Sequence, residues 1–263
     1  MDEVLRKRVN VLGLAIDPIE FTEAVDKIIF FAKSRPTQFV CVNSAQDVVI
    51  AQHDSRFRKI VNQANLATAD GWPVVWNIRS QGLQLSDRVT GPDLMLAVCD
   101  KGRSHELKHF LYGGVEEVPS LLTGKLKQSF PDINICGAYS PPFRKLTAAE
   151  DQAEIDLINQ SEADVLWIGI STPKQHFWVE DHLDKLNVGV VITVGAAFDF
   201  HSGRVKRAPK WMRENGLEWF HRAVKEPKRL GMRYLKYLPQ FFIMSILQRC
   251  GLRQFSIKGC KTD

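Results

Sequence analysis

The chain has few cysteines, and they are scattered. Five occur among its 263 residues, at Cys41, Cys99, Cys136, Cys250 and Cys260. None belongs to a C-x-x-C pair, and no cluster of cysteine and histidine has the spacing of a zinc site, which argues against a structural metal. Their odd number and irregular spacing do not indicate a disulfide framework. Together these absences favour a reducing, cytoplasmic environment.

Long apolar runs are also missing. No stretch approaches ~20 uninterrupted apolar residues, so the sequence predicts no membrane-spanning helix. The first residues, MDEVLRKRVNVLGLAI, lack a long apolar core, so no secretion signal is predicted. The chain contains no internal repeat and no low-complexity segment. Its 44% hydrophobic and 25% charged residues are typical of a soluble globular protein rather than a disordered one.

Three common ligand-binding signatures are absent. FLYGG at 110–114 is not G-x-G-x-x-G, so a tightly bound NAD is not indicated, and GISTPKQ at 169–175 lacks the Walker pattern. No D-x-D occurs, although enzymes that hold a nucleotide-sugar diphosphate through a divalent metal commonly use such a carboxylate pair. We therefore expect cationic side chains, rather than a metal or a cofactor, to neutralise an anionic ligand.

Charge is unevenly distributed along the chain. Residues 203–263 carry 15 Lys and Arg against 4 Asp and Glu, a net charge of +11, whereas the preceding residues carry −6. Arg204, Lys206 and Arg207 follow a predicted strand that breaks at Gly195, and guanidinium groups match phosphate oxygens in a fork. This arrangement predicts a diphosphate ligand. No RNP motif or helix-turn-helix pattern is present, so nucleic-acid binding is not predicted.

Apolar segments of strand length alternate with longer amphipathic segments along the first 194 residues. Strands are predicted at 9–16, 39–42, 66–69, 109–112, 133–138, 165–170 and 189–194. Helices are predicted at 18–34, 45–62, 73–81, 92–101, 118–129, 148–160 and 177–186. Each strand is almost entirely apolar, which indicates a mostly parallel sheet covered by helices on both faces. The predicted fold class is therefore α/β and Rossmann-like.

Polar and glycine-rich residues follow the ends of several predicted strands. They are Asn43, Ser44, Asp70, Gly71, Gly113, Gly114, Thr172 and Gly195. Ligands of open α/β sheets bind at the carboxyl edge, so this edge is the expected site. Thr172, Lys174 and Gln175 are expected to hydrogen-bond a nucleotide or a sugar, or else to form an ordinary strand-to-helix connection.

Two charged residues beside these turns have both a functional and a structural interpretation. Asp70 is placed to take a proton from a sugar hydroxyl, or to cap the helix that follows. Arg88, in DRVTGPD at 87–93, is placed to neutralise a phosphate together with a helix N-terminus, or is a surface neighbour of Asp87. The residues alone leave both pairs of alternatives open.

Three regions are predicted along the chain. Residues 1–202 form the α/β core, residues 203–230 form a basic loop and helix that complete the site, and residues 231–263 form a C-terminal appendage. In the appendage an apolar run at 241–247 lies between basic flanks. It is too short to cross a bilayer, but a basic amphipathic helix of this kind is suited to lie in a membrane interface.

Six segments of the chain closely resemble the WecG/TagA/CpsF family of bacterial glycosyltransferases, glycosyltransferase family 26. They are ADG at 69–71, DRVTGPDL at 87–94, FLYGG at 110–114, DVLWIGISTPKQHFWV at 164–179, VGAAFDFHSGRVKRAPKWMRENGLEWFHR at 194–222 and EPKRL at 226–230. The block at 194–222 is highly specific, and the resemblance spans nearly the whole chain.

The resemblance implies a function and a set of site residues. It implies inverting, metal-independent transfer of a sugar from a UDP-sugar to a polyprenyl-diphosphate-linked saccharide, by an enzyme attached peripherally to the inner face of the cytoplasmic membrane through its basic tail. Asp70 is then the general base, and Arg88, Lys206 and Arg207 contact the diphosphate. Further substrate-binding residues expected in the matched segments are Gly91, Asp93, Gln175, Asp199, Arg222 and Arg229.

Two positions depart from the family pattern. The family has Thr-x-Asn at the end of its second strand, where this chain has CVNS at 41–44. His176 stands where the family has an acidic residue after the Pro-Lys-Gln motif. Either the histidine alters the choice of sugar, or position 176 faces outward and tolerates the change.

The sequence leaves the exact substrates open. N-acetylmannosamine or its uronic acid is favoured as the donor sugar, with glucuronic acid and glucose as alternatives, because one or two pocket hydrogen bonds decide among them. The acceptor saccharide and homo-oligomer formation are not determined. The rival functions are a non-catalytic membrane-associated partner that retains the fold, and another UDP-sugar enzyme such as an epimerase.

Overall fold

The computed structural model of the protein describes residues 8–259. Its strands are β1 (Val9–Val11), β2 (Leu14–Ile16), β3 (Gln38–Asn43), β4 (Leu66–Ala69), β5 (Lys108–Gly113), β6 (Asn134–Tyr139), β7 (Val165–Gly169) and β8 (Val190–Thr193). Six of them form one sheet in the order β4-β3-β8-β7-β5-β6. The β3–β8, β8–β7, β7–β5 and β5–β6 pairs are parallel. The predicted α/β class with a mostly parallel, Rossmann-like sheet is confirmed.

Helices alternate with the strands of the sheet and pack around it. They are α1 (Phe21–Ala32), α2 (Ala45–His53), α3 (Ser55–Gln63), α4 (Trp72–Ser80), α5 (Gly91–Gly102), α6 (Val118–Ser129), α7 (Ala148–Gln160), α8 (Lys174–His182), α9 (Ala197–His201), α10 (Lys210–Glu214), α11 (Glu218–Lys225) and α12 (Met232–Arg249). α6 and α7 have the predicted bounds. α7 begins at a capping box in which Thr147 and Glu150 bond each other's backbone N–H groups.

The first predicted strand, 9–16, is wrong. The segment forms a β-hairpin in which β1 and β2 pair antiparallel, in a sheet of their own. Its two-residue turn places both Leu12 and Gly13 at positive φ, +50° and +86°. A turn of this kind matches the twist of the two strands. The Asn10 side chain accepts a hydrogen bond from the Gly13 N–H (2.7 Å) and fastens the turn.

The predicted helix at 45–62 is two helices, α2 and α3, which meet at Asp54. Asp54 has an extended backbone, and its side chain accepts a hydrogen bond from the Phe57 N–H (2.9 Å). An aspartate that caps a helix N-terminus competes with continuation of the preceding helix. The apolar pattern continues across this break, which is why periodicity alone merged the two helices.

By its internal contacts the chain forms two compact units. Of the described residues, the first unit contains Val42–Thr90 together with residues 8–20 and 206–259. The second contains Phe21–Cys41 and Gly91–Val205. In the second unit β7 and β8 are fully buried from Val165 to Ile168 and from Val190 to Thr193. Burial on both faces explains the continuous apolar runs that predicted these strands.

The C-terminal helix α12 is longer than its apolar run and packs within the first unit. It runs for 18 residues through Pro239 and contacts α2 and α4. Phe241 and Met244 are buried, and the Asn77 side chain of α4 donates to the Ser245 hydroxyl (3.1 Å). Within residues 8–259, none of the helices combines the length and apolarity needed to span a bilayer.

The chain beyond α12 returns to the hairpin through Asn62. This side chain is 1% exposed, accepts from the Ala15 N–H (2.8 Å), and donates to the carbonyl oxygens of Gly13 (3.1 Å) and Lys258 (2.8 Å). One amide therefore joins α3, the β1–β2 hairpin and the C-terminal segment. The side chain therefore ties together three segments that are distant in sequence.

We predict that Asn62→Ala lowers the free energy of unfolding by about 3 kcal/mol, since it leaves several buried backbone groups without their partner. Urea unfolding followed by circular dichroism measures the change. Gln84→Ala, at an exposed loop position, is the control and is expected to have little effect. An Asn62→Ala midpoint equal to that of the wild type would contradict the joining role of this amide.

Candidate active site

Asp70 lies directly after β4, at the carboxyl end of that strand. Its backbone N–H donates to the Asn43 carbonyl oxygen (2.8 Å), and the Val89 N–H donates to the carbonyl oxygen of Ala69 (2.8 Å). Gly71 follows with φ at +97°, a conformation that strains any side chain. Gly71 is also the residue that precedes the first turn of α4. The alternative interpretation of Asp70 as the helix-capping residue is therefore wrong.

The pKa of the Asp70 carboxyl is raised from 3.8 to about 6. Burial is the largest cause, because surroundings of low dielectric disfavour the charged form. Arg88 and Arg207 lower the pKa, whereas Glu218 and Asp47 raise it. A carboxyl with this pKa is mostly ionised at neutral pH but is more basic than an ordinary aspartate, as suits a general base.

Arg88 and Arg207 are joined by one carboxylate, that of Glu218. Arg88 Nη1 lies 3.2 Å from Glu218 Oε2, and Arg207 Nε lies 3.0 Å from Glu218 Oε1. The three side chains are only 10% to 15% exposed. The Arg88 guanidinium therefore pairs with Glu218, whereas the carboxylate of its neighbour Asp87 accepts the Arg88 backbone N–H.

Each of these guanidinium groups has a second anchor. Arg88 Nη2 donates to the Arg213 carbonyl oxygen (3.0 Å), and Arg207 Nη2 donates to the Thr90 hydroxyl (3.4 Å). Lys206, the third predicted diphosphate contact, is exposed. The structure thus brings two of the three predicted cations together in the first unit, within electrostatic reach of the Asp70 carboxyl.

The turn after β3 is held by a capping box. The Ser44 hydroxyl and backbone N–H both donate to Asp47 Oδ2, at 2.5 and 2.8 Å. Asn43 is fully buried, and its amide donates to the Thr68 carbonyl oxygen (3.3 Å). Ser44 and Asn43 therefore have structural partners, and their assignment as substrate contacts stays a prediction.

Two glycines in the second unit are required by the close approach of neighbouring atoms. A Cβ at Gly113 would lie 2.6 Å from the Gly169 carbonyl group, and one at Gly114 would lie 2.6 Å from Val118 Cγ1. The ends of β5 and β7 therefore pack backbone to backbone. The Ser140 hydroxyl also donates to the Gly114 carbonyl oxygen (2.9 Å), which fixes the turn after β6 on the same edge.

Gln175 and Gly195 lie together at the carboxyl end of β8. A Cβ on Gly195 would be 3.9 Å from Gln175 Oε1, and Gln175 Nε2 lies 3.4 Å from the Thr172 hydroxyl. Gln175 is 2% exposed and Thr193 is fully buried. Within residues 8–259, Gln175 Oε1 and Thr193 Oγ1 have no hydrogen-bond partner. Buried polar atoms of this kind usually have a partner, so these two are exceptions among the described residues.

The other predicted site residues of the second unit have local roles. Lys174 Nζ lies 4.5 Å from the centre of the exposed Phe143 ring, and Asp199 Oδ1 pairs with Arg204 Nη1 (3.7 Å). A Cβ at Gly91 would lie 3.0 Å from the Val194 carbonyl oxygen, so α5 packs closely on the chain after β8. Asp93 lies half-buried in the first turn of α5.

Three further residues named from the sequence, Arg222, Arg229 and His176, differ in their exposure. Arg222 lies half-buried on α11, and Arg229 is an exposed residue that pairs with Glu226 (2.5 Å). His176 is completely buried, with its ring edge-on to Phe39 at 6.4 Å. The interpretation of His176 as an outward-facing position is therefore wrong. Among residues 8–259 no group of three or more His, Cys, Asp or Glu side chains is arranged to hold a metal ion.

Sequence reasoning missed Glu218, Asp47 and Thr193. Glu218 lies in GLEWFHR, inside the most specific block of the chain, and its acidic side chain within a basic segment was the available signal. Asp47 and Thr193 gave no signal, because a helical aspartate and a strand threonine are ordinary residues. Only the fold shows that Asp47 acts on Asp70 and that the Thr193 hydroxyl is buried without a described partner.

Comparison with known proteins adds independent evidence. Residues 9–255 match the family model described as the glycosyl transferase WecG/TagA/CpsF family. Two similar proteins are the N-acetylglucosaminyldiphosphoundecaprenol N-acetyl-beta-D-mannosaminyltransferases of Staphylococcus aureus strains MW2 and NCTC 8325 / PS 47. Each is 28% identical to this chain over 236 residues, which are 89% of this chain and 90% of the relative.

We predict that Asp70→Asn stabilises the protein above pH 6 and not below pH 4. A carboxyl whose pKa rises from 3.8 to about 6 on folding makes its full contribution to stability below pH 3.8, and that contribution is lost as the pH rises from 3.8 through about 6. The asparagine has no charge to desolvate, so its advantage at pH 7.5 is roughly 3 kcal/mol.

Urea unfolding at pH 4 and pH 7.5 measures this difference. Asp132→Asn, at an exposed position, is the matched control and should behave like the wild type at both values. A stability difference between Asp70→Asn and the wild type that is the same at both pH values would contradict the raised pKa.

Proposed function

Because the chain belongs to the WecG/TagA/CpsF family of glycosyltransferases, we propose that it transfers a sugar from a UDP-sugar to a polyprenyl-diphosphate-linked saccharide. The reaction inverts the anomeric centre and requires no metal. The observation that carries this proposal is the raised pKa of Asp70 together with two poorly exposed, carboxylate-bridged arginines. A base and a cationic leaving-group site are the two elements that this reaction needs.

The acceptor and donor follow from the relatives. Their name specifies an N-acetylglucosaminyl-diphosphoundecaprenol acceptor and a transferred N-acetyl-β-D-mannosaminyl group. We propose the same class of acceptor, a saccharide on a polyprenyl diphosphate, and N-acetylmannosamine or its uronic acid as the transferred sugar. A β-linked product is what inversion gives from an α-linked UDP donor. The product would enter the synthesis of a cell-surface polysaccharide.

Asp70 acts as the general base. Its carboxylate takes the proton of the acceptor hydroxyl as that oxygen attacks C1 of the donor sugar. The bond between C1 and the oxygen of the β-phosphate breaks, and its electron pair leaves with UDP. Burial supports this role, because it makes the carboxylate a stronger base than a solvated one while leaving it mostly ionised at neutral pH.

Arg88 and Arg207 stabilise the charge that grows on the leaving UDP. Both guanidinium groups are poorly exposed, so their interaction with a diphosphate is weakly screened by solvent. Each is anchored at two points before substrate arrives. Prearranged charges of this kind need no reorganisation during the reaction, which is the basis of their catalytic effect. They supply the positive charge that a metal supplies in other nucleotide-sugar enzymes.

Within the second unit, we propose Gln175 and Thr193 as polar contacts to a substrate. The Gln175 amide oxygen and the Thr193 hydroxyl are buried without a partner among the described residues. A uridine or an N-acetyl sugar offers both hydroxyl and N–H donors that such oxygens accept. At Gly113 and Gly114 the close approach of neighbouring atoms leaves no room for a side chain. Oxygen acceptors of this kind suit the hydroxyl and N–H donors of a nucleotide sugar better than the oxygens of a diphosphate.

Purified protein, an N-acetylglucosaminyl-diphosphate lipid acceptor and a panel of UDP-sugars test the function directly. UDP release and a β-linked disaccharide-lipid product are expected with UDP-N-acetylmannosamine or its uronic acid. The rate should survive an excess of EDTA. Absence of turnover with every pair of donor and acceptor would favour a non-catalytic protein that retains the fold. Epimerisation of the donor without transfer would favour an epimerase.

We predict that kcat/KM rises with pH through a single limb near pH 6 and then levels off, because Asp70 must be ionised to accept the proton. Asp70→Asn should lower kcat/KM by about 10²- to 10⁴-fold. Initial rates between pH 4.5 and 8.5 measure both effects, with Asp132→Asn as the control. Near wild-type turnover by folded Asp70→Asn would show that another group is the base.

We further propose that α11 and α12 attach the enzyme peripherally to an anionic membrane surface, where its lipid-linked acceptor resides. Large apolar side chains on these helices are exposed: Phe220, Val224, Leu235, Phe242, Ile243 and Ile246. Basic residues flank them at Arg233, Lys236 and Arg249. Apolar contacts and Lys or Arg near an anionic leaflet add to membrane affinity.

We predict that the triple variant Leu235→Ser, Ile243→Ser, Ile246→Ser loses most binding to phosphatidylglycerol vesicles, because it removes exposed apolar area without opening the core. Vesicle flotation at low and at high salt measures binding. The matched control is a triple variant that removes exposed apolar residues of the second unit: Val115→Ser, Leu121→Ser, Leu157→Ser. Equal flotation of the two triple variants would contradict the assignment of membrane binding to α12.

A further inference from the structure

Glu218 occupies a position between two cations that come from distant parts of the chain. Arg88 lies in the segment between α4 and α5, Arg207 lies before α10, and Glu218 is the first residue of α11. Each oxygen of the Glu218 carboxylate accepts from a different guanidinium group, Oε2 from Arg88 Nη1 and Oε1 from Arg207 Nε. A neutral amide cannot repeat this, because it has one acceptor oxygen and its other end donates.

The two arginines need such a partner when no diphosphate is bound. Two guanidinium groups with only 10% and 15% exposure repel each other more strongly than in bulk water. A carboxylate between them offsets this repulsion and leaves a net charge of +1 for the three groups. Two further anchors, the Arg213 carbonyl and the Thr90 hydroxyl, are neutral and do not offset this repulsion.

On the basis of the proposed function, we infer that Glu218 is a positioning residue that holds Arg88 and Arg207 side by side for the diphosphate of the donor. It acts through the arginines and does not itself contact the reacting atoms. The separation of its two oxygens sets the spacing of the two cations. The requirement is therefore for a carboxylate at this reach, not merely for a polar or negatively charged side chain.

Glu218 also affects the base. The groups that act on the Asp70 carboxyl are Arg88 and Arg207, which lower its pKa, and Glu218 and Asp47, which raise it in addition to burial. Removing the charge of Glu218 takes away one of the raising groups. The pH–rate limb therefore reports on Glu218 separately from the rate itself, which a role limited to folding would not do.

Two variants separate reach from charge. Glu218→Gln removes the charge and one of the two acceptors, so kcat/KM should fall about 10- to 100-fold and the limb should move to lower pH. Glu218→Asp keeps the charge but is one carbon shorter and cannot reach both arginines. Its kcat/KM should therefore fall, while the pH at which kcat/KM rises should stay unchanged. Calorimetric binding of UDP alone should weaken in both variants, and this measurement needs no acceptor.

Glu214→Gln is the matched control, since it removes the same charge from an exposed residue that pairs with Lys210 on α10 (3.6 Å). It should keep the wild-type rate, limb and UDP affinity. If Glu218→Gln does not fold, Glu218→Asp decides alone through its rate and UDP affinity.

Wild-type kcat/KM in either folded Glu218 variant overturns the inference. A rise in kcat/KM also overturns it, because the carboxylate would then compete with the diphosphate. An inactive wild type would instead refute the proposed function, and the UDP titrations would still judge the role of Glu218.

Discussion

The site depends on a charge balance among groups that water reaches poorly. Burial makes ionisation of Asp70 unfavourable, and two nearby guanidinium groups make it favourable. If both cations acted on Asp70 at full strength, its carboxylate would be a weak base. Glu218 offsets part of their charge, so burial prevails and the pKa settles near 6. The same carboxylate therefore governs both the basicity of Asp70 and the spacing of the cations.

This balance is held in place by the packing of the C-terminal half of the first unit. The segment that carries Arg207 and Glu218 is followed by α12, which buries Phe241 and contacts α2 and α4. The chain then returns to the hairpin through Asn62. The C-terminal residues consequently contribute to the fold of the unit that holds Asp70. Exposed apolar side chains on α12 are a second property of the same helix rather than its only purpose.

Local sequence patterns predicted the sheet and most helices, because neighbouring residues specify where a strand or a helix forms. The buried strands and the capped helix after Thr147 could be located from a few neighbouring residues. The hairpin turn places the non-glycine residue Leu12 at positive φ, and no local pattern predicted this conformation. The pairing of Glu218 with Arg88 spans 130 positions, and the burial of His176 depends on α8 packing. Neither has a local pattern, so sequence could name the arginines but not the group that joins them.

A fixed cationic site has a different requirement from a metal site. A metal ion brings its charge with it and can leave with the product, so the empty protein need not neutralise that charge. Guanidinium groups remain when the ligand departs, and two of them at 10% to 15% exposure need a resident counter-charge. A carboxylate that uses both oxygens meets that need while leaving a net positive charge for the next diphosphate. In the proposed function, an acidic residue inside the basic segment 204–229 therefore accompanies the arginines that bind phosphate, and is not an exception to the pattern.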